Sequence, residues 1–259
     1  MAGLSKGSRN LILAMVLVVA AGILIARSYY GKQNRSVDPR IQPARVLYGT
    51  YDQVAGSGDY HRVFALMDSI ESIYLETPFY STSFELGVLE NNRAAALLTI
   101  ALFGDSIPRP LNPCAGLGKD SILSLAEERV RSAMGIYEAW DSVFGGMTEG
   151  QIRDHISEPF AYGLQSYDAK QVEEFLQNRV KEIVLACKEN KRRLSVCHTN
   201  LGVIHRIRED YTEAVREYEL ALELWDRNLE AENNLNRLLS RPLKKRNFIQ
   251  KMFPPDRGK

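Results

Sequence analysis

The sequence predicts an all-α protein in which an N-terminal transmembrane helix precedes an irregular α-solenoid of antiparallel helix pairs. Three observations carry this. Residues 11–26, LILAMVLVVAAGILIA, contain no charged or polar side chain. From Ala44 onward the apolar spacing is helical, with neither sustained period-2 alternation nor an Asn-Gly hairpin signal. Asn200-Leu201 recurs as Asn234-Leu235, 34 residues later, the kind of fixed period that stacked helix pairs show.

Composition sets the frame. The 259 residues are 45% hydrophobic and 25% charged, ordinary globular usage that excludes disordered, collagenous and disulfide-scaffold classes. Net charge is +1, from 33 basic and 32 acidic residues, which argues against a nucleic-acid-coating protein. The average conceals a pattern: residues 1–45 and 241–259 each hold seven basic groups and one acid, leaving 46–240 at −11. An acidic body thus stands between two basic ends.

The first element, 1–27, reads as an uncleaved membrane anchor. Sixteen apolar residues span about 24 Å as a helix, and Arg27, Tyr29 and Tyr30 extend it towards the ~30 Å of hydrocarbon. A cleaved signal peptide is the competing reading, but the run ends Leu24-Ile25-Ala26, without the paired small residues of a cleavage site, and no Cys follows for acylation. Orientation signals conflict. Five Lys/Arg after the span against two before it favour a cytoplasmic body, whereas a single N-terminal anchor with one large domain favours export; the expectation is an extracytoplasmic body.

Residues 28–43, with Gly31, Pro39 and Pro43 and no periodicity, are expected to form a tether. Helices are predicted over 44–55, 59–76, 80–103, 121–143, 148–158, 168–189, 192–208, 211–226 and 229–239. The segment 104–119, GDSIPRPLNPCAGLGK, interrupts them because its three Pro and three Gly forbid a helix. The organisation expected is degenerate repeats over 44–103, the loop, a helical region 120–190, repeats over 191–240 and a basic tail. A turn near Glu189–Lys191 would let Cys187 and Cys197 face each other across antiparallel helices; two small buried thiols are the alternative, and Cys114 completes the count.

Within 195–228, SVCHTNLGVIHRIREDYTEAVREYELALELWDRN, each spacing has a packing reason. Leu201-Gly202 lets a second helix cross closely, Tyr211 follows the turn, Ala214 and Ala221 keep the helices near each other, and Tyr218 fills the gap to the next pair. This segment resembles a tetratricopeptide repeat, with Asp226 standing at the usual proline position. A partial next unit occupies 229–239. Val180, Val184 and Cys187 resemble a degenerate second helix, Gly58-Asp59-Tyr60 with Val63, Met67 and Ile70 repeats the turn and spacing, and Leu86-Gly87 resembles the start of a further unit. Residues 105–158 show no recognisable repeat.

The resemblance implies a concave partner groove lined by Thr199, Asn200, Val203, Arg206 and Ile207, then Asn233, Asn234 and Arg237. An acidic body suits a basic or amphipathic protein segment there. The expected function is accordingly a membrane-anchored interaction or scaffold protein, for example one aiding assembly or folding of envelope proteins, without enzymatic activity, cofactor, metal or nucleic acid. The rival is a helical enzyme or small-ligand binder using the 104–119 loop and Cys114. His198 and His205 lie seven apart on one helix, too far for an i,i+4 metal pair. Pro113 and Asp120 stand where a phosphate loop needs glycine and a hydroxyl. In the tail, Phe248, Ile249, Met252 and Phe253 fall at helical spacing among lysines, as a structural cap or as a membrane-surface segment.

Overall fold

In the computed structural model the described residues are 37–245, and among them every regular element is helical. The apolar run 11–26 and the tail beyond 245 lie outside them. The elements are α1 (Gln42–Tyr48), α2 (Tyr51–Gly56), α3 (Tyr60–Glu76), α4 (Phe84–Phe103), α5 (Lys119–Phe144), α6 (Glu149–Ala161), α7 (Ala169–Ile207), α8 (Tyr211–Leu224) and α9 (Leu229–Leu238).

Side-chain caps start five of them. Asp59, Asp210 and Asn228 accept from backbone N–H groups at the heads of α3, α8 and α9, while Thr148 and Asp168 form capping boxes with Gln151 and Gln171. Each satisfies donors that no helical carbonyl can reach.

Two hairpins dominate the packing. In the first, Phe84 of α4 lies against Trp140 of α5, Gly87 against Tyr137, and Glu90 against Arg129, so sequence numbers run in opposite directions. In the second, Ser195 of α7 bonds the Ala221 carbonyl and His198 meets Glu217 of α8, again antiparallel. Between the hairpins α4 and α7 advance in the same sense, through Glu85–Arg179 near one end and Asn91 with Cys197 and Asn200 further along. One apolar core extends from Ile41 to Ile204, and a satellite around Ala214, Tyr218 and Leu235 joins it through Val203.

The structure corrects the expected helices at three places. The span 44–55 is two short helices, broken after Tyr48, and the expected tether is part of the body from Val37 on. Asp38 is 3% exposed and receives both the Arg40 guanidinium and the Tyr80 hydroxyl, while Ile41 is fully buried. The expected turn at Glu189–Lys191 does not exist: α7 is one helix of 39 residues. No Gly or Pro stands between Ala169 and Leu201, the stretch is rich in good helix formers, and Asn190, 2% exposed, donates to the Tyr137 carbonyl of α5. The boundary drawn at 190/191 therefore falls inside a helix. Val180, Val184 and Cys187 lie in its first half, and its second half opens the next hairpin.

Continuity also settles the cysteines. Ten residues of helix separate Cys187 and Cys197 by about 15 Å, beyond the ~7 Å a disulfide tolerates. All three cysteines are free thiols.

Among the described residues one helix, Phe84–Ser106, is long and apolar enough to cross a membrane, yet 67% of that window is buried inside the protein. Arg93 on it pairs with Asp68, Glu71 and Glu90, as suits a core helix.

Candidate partner groove

A helix of this length presents one face for its whole extent. Glu182, Ala186, Glu189, Arg193, Val196, Asn200, Val203 and Ile207 follow alternating steps of four and three and so form a single stripe along α7. At its first half the stripe borders a cleft of about 340 Å³ whose other walls are α1, α3 and α4. Its floor is apolar: Ile70, Phe84 and Leu89 are buried, Val88 and Ala186 half-buried, and Leu185 stands at the edge with 60% of its surface exposed. The size is at the low end of ligand-sized pockets, about 300–1,000 Å³.

Charges ring this floor and most are matched. Glu182 meets Arg45 at 2.6 Å and Arg179 at 3.2 Å. Glu85 meets Arg179 at 2.6 Å. Glu189 holds Arg192, whose guanidinium lies 5.0 Å from the Trp225 ring centre. Burial alone would favour a neutral Glu85, but the Arg179 charge and hydrogen bond outweigh it and hold the carboxyl below its usual range. Burial likewise opposes the charge on Arg179, and Glu85, Tyr80 and Glu182 reverse that. Arg193 differs, because its Nε is buried without an acceptor. The cleft thus offers an apolar floor ringed by carboxylates that already hold cations.

No family model, curated protein or solved structure matches this chain.

The nominated groove residues divide. Val203, Arg206 and Ile207 are half-buried on the α7 stripe or beside it, and Arg237 is exposed on α9. Asn200 reaches across to donate to the Asn91 carboxamide of α4 at 2.9 Å, which ties the first helices of the two hairpins together. Asn234 accepts from Arg237, and Asn233 holds the backbone of Lys244. Thr199 is not a groove residue: it is 3% exposed, donates to the Ser195 carbonyl and accepts from Asn228 at the head of α9.

Among the packing residues, Leu201, Ala214, Tyr218 and Ala221 are at most 2% exposed, and Gly202 is buried. Tyr211 departs, with 54% of its surface in solvent as the first residue of α8. His198 is bound to Glu217, and His205 lies 3.5 Å from Asp210. Sequence reasoning missed the first half of α7 as a groove wall, although the four-three spacing from Glu182 to Ile207 was there to be read.

Proposed function

We propose that this protein is a membrane-anchored, tetratricopeptide-like interaction protein, held by residues 11–26, whose groove along α7 takes an amphipathic segment of a partner protein. The observation that supports it is a repeated lock. A Cβ on Gly87 would lie 2.6 Å from the Tyr137 ring, and one on Gly202 would lie 2.5 Å from the Tyr218 ring. Ala133 precedes Tyr137 as Ala214 precedes Tyr218, four residues earlier, and all four are fully buried. Two hairpins closed by the same contact, with their first helices advancing in the same sense, suit an arrangement in which successive repeats share one concave face. Of the two expected partner chemistries the cleft favours the amphipathic one, since its floor is apolar and Glu85, Glu182 and Glu189 already have cations. The acidic body still draws basic segments at long range. A scaffold role in assembling or folding envelope proteins with an extracytoplasmic body fits this reading. The rival enzyme centred on Cys114 fits less well, because that thiol is 7% exposed and burial pushes its pKa up, away from a reactive thiolate.

A photo-crosslinking residue placed at Leu185 in the membrane-bound protein tests it. Discrete protein adducts are expected there and not from Leu125, which is exposed on α5 away from the groove. No adduct at 185, or the same adducts from both positions, overturns the groove.

A further inference from the structure

The last described residues return to α9 and show how its surface holds a peptide. After Ser240, whose φ of 54° is left-handed, the chain reverses, and the Arg241 N–H donates to the Asn236 carbonyl at 2.7 Å. Three residues on, the Lys244 N–H donates to Asn233 Oδ1 at 2.8 Å, and Asn233 Nδ2 donates to the Lys244 carbonyl at 3.0 Å. A single carboxamide therefore satisfies both main-chain polar groups of one residue. That exchange resembles the hydrogen-bonded pair of a β-ladder and needs a backbone that turns its N–H and C=O to the same side, as a strand does and a helix does not. The Lys244 ammonium then meets Glu232 Oε1 at 2.8 Å, a carboxylate only 9% exposed. Nothing in these contacts reads any side chain except the lysine.

We propose that Asn233 and Glu232 form a docking site for a non-helical, lysine-bearing segment of a partner protein, and that the chain's own 241–245, RPLKK, occupies it in the unliganded state. Asn233 supplies backbone recognition, which tolerates many sequences, and Glu232 selects a cation at one position. With the Lys244 ammonium in place the Glu232 side chain is 9% exposed, so in the occupied site its charge is less screened than that of an open surface acid. The site lies on α9, apart from the cleft bordered by α1, α3 and α4, and the two can fail separately. Because 241–245 follows α9 directly, it competes as an intramolecular ligand at about millimolar effective concentration. A free segment of the same chemistry must displace it or bring contacts elsewhere.

The test uses the full chain in detergent and a fluorescein-labelled, end-capped RPLKK peptide read by anisotropy. Lys244→Pro removes both the N–H and the ammonium of the occupant while leaving Asn233 and Glu232 intact. The Lys244→Pro protein is expected to bind the peptide at least tenfold more tightly than wild type, and adding Asn233→Ala is expected to abolish the gain. A control peptide, RPLEE, is expected not to bind the Lys244→Pro protein. Equal affinity of wild type and Lys244→Pro, survival of the gain in the Asn233→Ala double variant, or equal binding of RPLEE each overturns the proposal. Absence of adducts at 185 with the peptide result intact would remove the α7 groove and leave this site standing.

Discussion

Tyr137 stands to Gly87 as Tyr218 stands to Gly202, with a ring edge filling the volume that a Cβ would claim. The partners are 50 residues apart in one hairpin and 16 in the other. The difference is the segment between α4 and α5 together with longer helices, so the contact survives while the period does not. A close approach of this kind exchanges a side chain for helix-to-helix dispersion contacts, and only glycine permits it.

Gly87→Ala and Gly202→Ala should each destabilise the protein by about 1–3 kcal/mol, since a methyl group forces a fully buried tyrosine ring to move. Chemical denaturation measures it. Wild-type midpoints for both variants would mean that the helices do not approach as closely as the structure has them.

Lys191→Pro distinguishes a continuous α7 from two helices joined by a turn. Lys191 is exposed, so a turn would accept proline there. Inside an unbroken helix the substitution removes a hydrogen bond and clashes with the preceding turn, at a cost of about 3 kcal/mol or more. A melting temperature within a degree of wild type would contradict the single helix.

Arg179 is the charge that the groove wall leans on, with 3% of its side chain exposed. Arg179→Met leaves Glu85 and Glu182 short of a buried cation and should cost about 3–5 kcal/mol. The pH dependence follows from Glu85, whose pKa is lower in the folded chain than in the unfolded one. Its stabilisation is fully present above the ordinary carboxylate range and is lost as pH falls through the lowered folded value. In Arg179→Met the partner is gone, the Glu85 pKa rises, and the slope between about pH 5 and pH 3 should shrink or reverse. An unchanged slope in a urea series across that window would show that Glu85 does not supply it.

Thiol chemistry gives a fourth check. Burial pushes the Cys197 thiol up to about 12, and Cys187 is only half-buried. Iodoacetamide at pH 8 should modify Cys187 before Cys197 in the native protein and both in urea, and non-reducing mass spectrometry should find no Cys187–Cys197 bridge. A bridge would require α7 to break between them.

Whatever depends on near neighbours can be read from the chain alone. Helical periodicity located the helices because a 3.6-residue repeat of apolar side chains is a local property, and Asp59 and Asp168 fall where their caps are seen. One hairpin was legible in part: Gly202, Ala214, Tyr218 and Ala221 lie close in sequence and are buried together, while Tyr211 of the same segment stands in solvent. The remainder came from long-range packing. Asn190 reads as a turn residue until the Tyr137 carbonyl is placed beside it, although the absence of Gly and Pro from 169–201 already favoured an unbroken helix. Thr199 reads as a groove residue until Asn228 of the next helix lands on its hydroxyl. The segment beginning at Val37 reads as linker until Tyr80 and Arg40 close on Asp38 and Arg40 also reaches the Phe160 carbonyl. The cleft itself depends on where α1, α3 and α4 come to rest against α7, and the charge left at its rim depends on which carboxylates have already found arginines. Those are contacts between residues far apart in the chain, whose free energy exists only once the core has brought them together, and no window of sequence contains them.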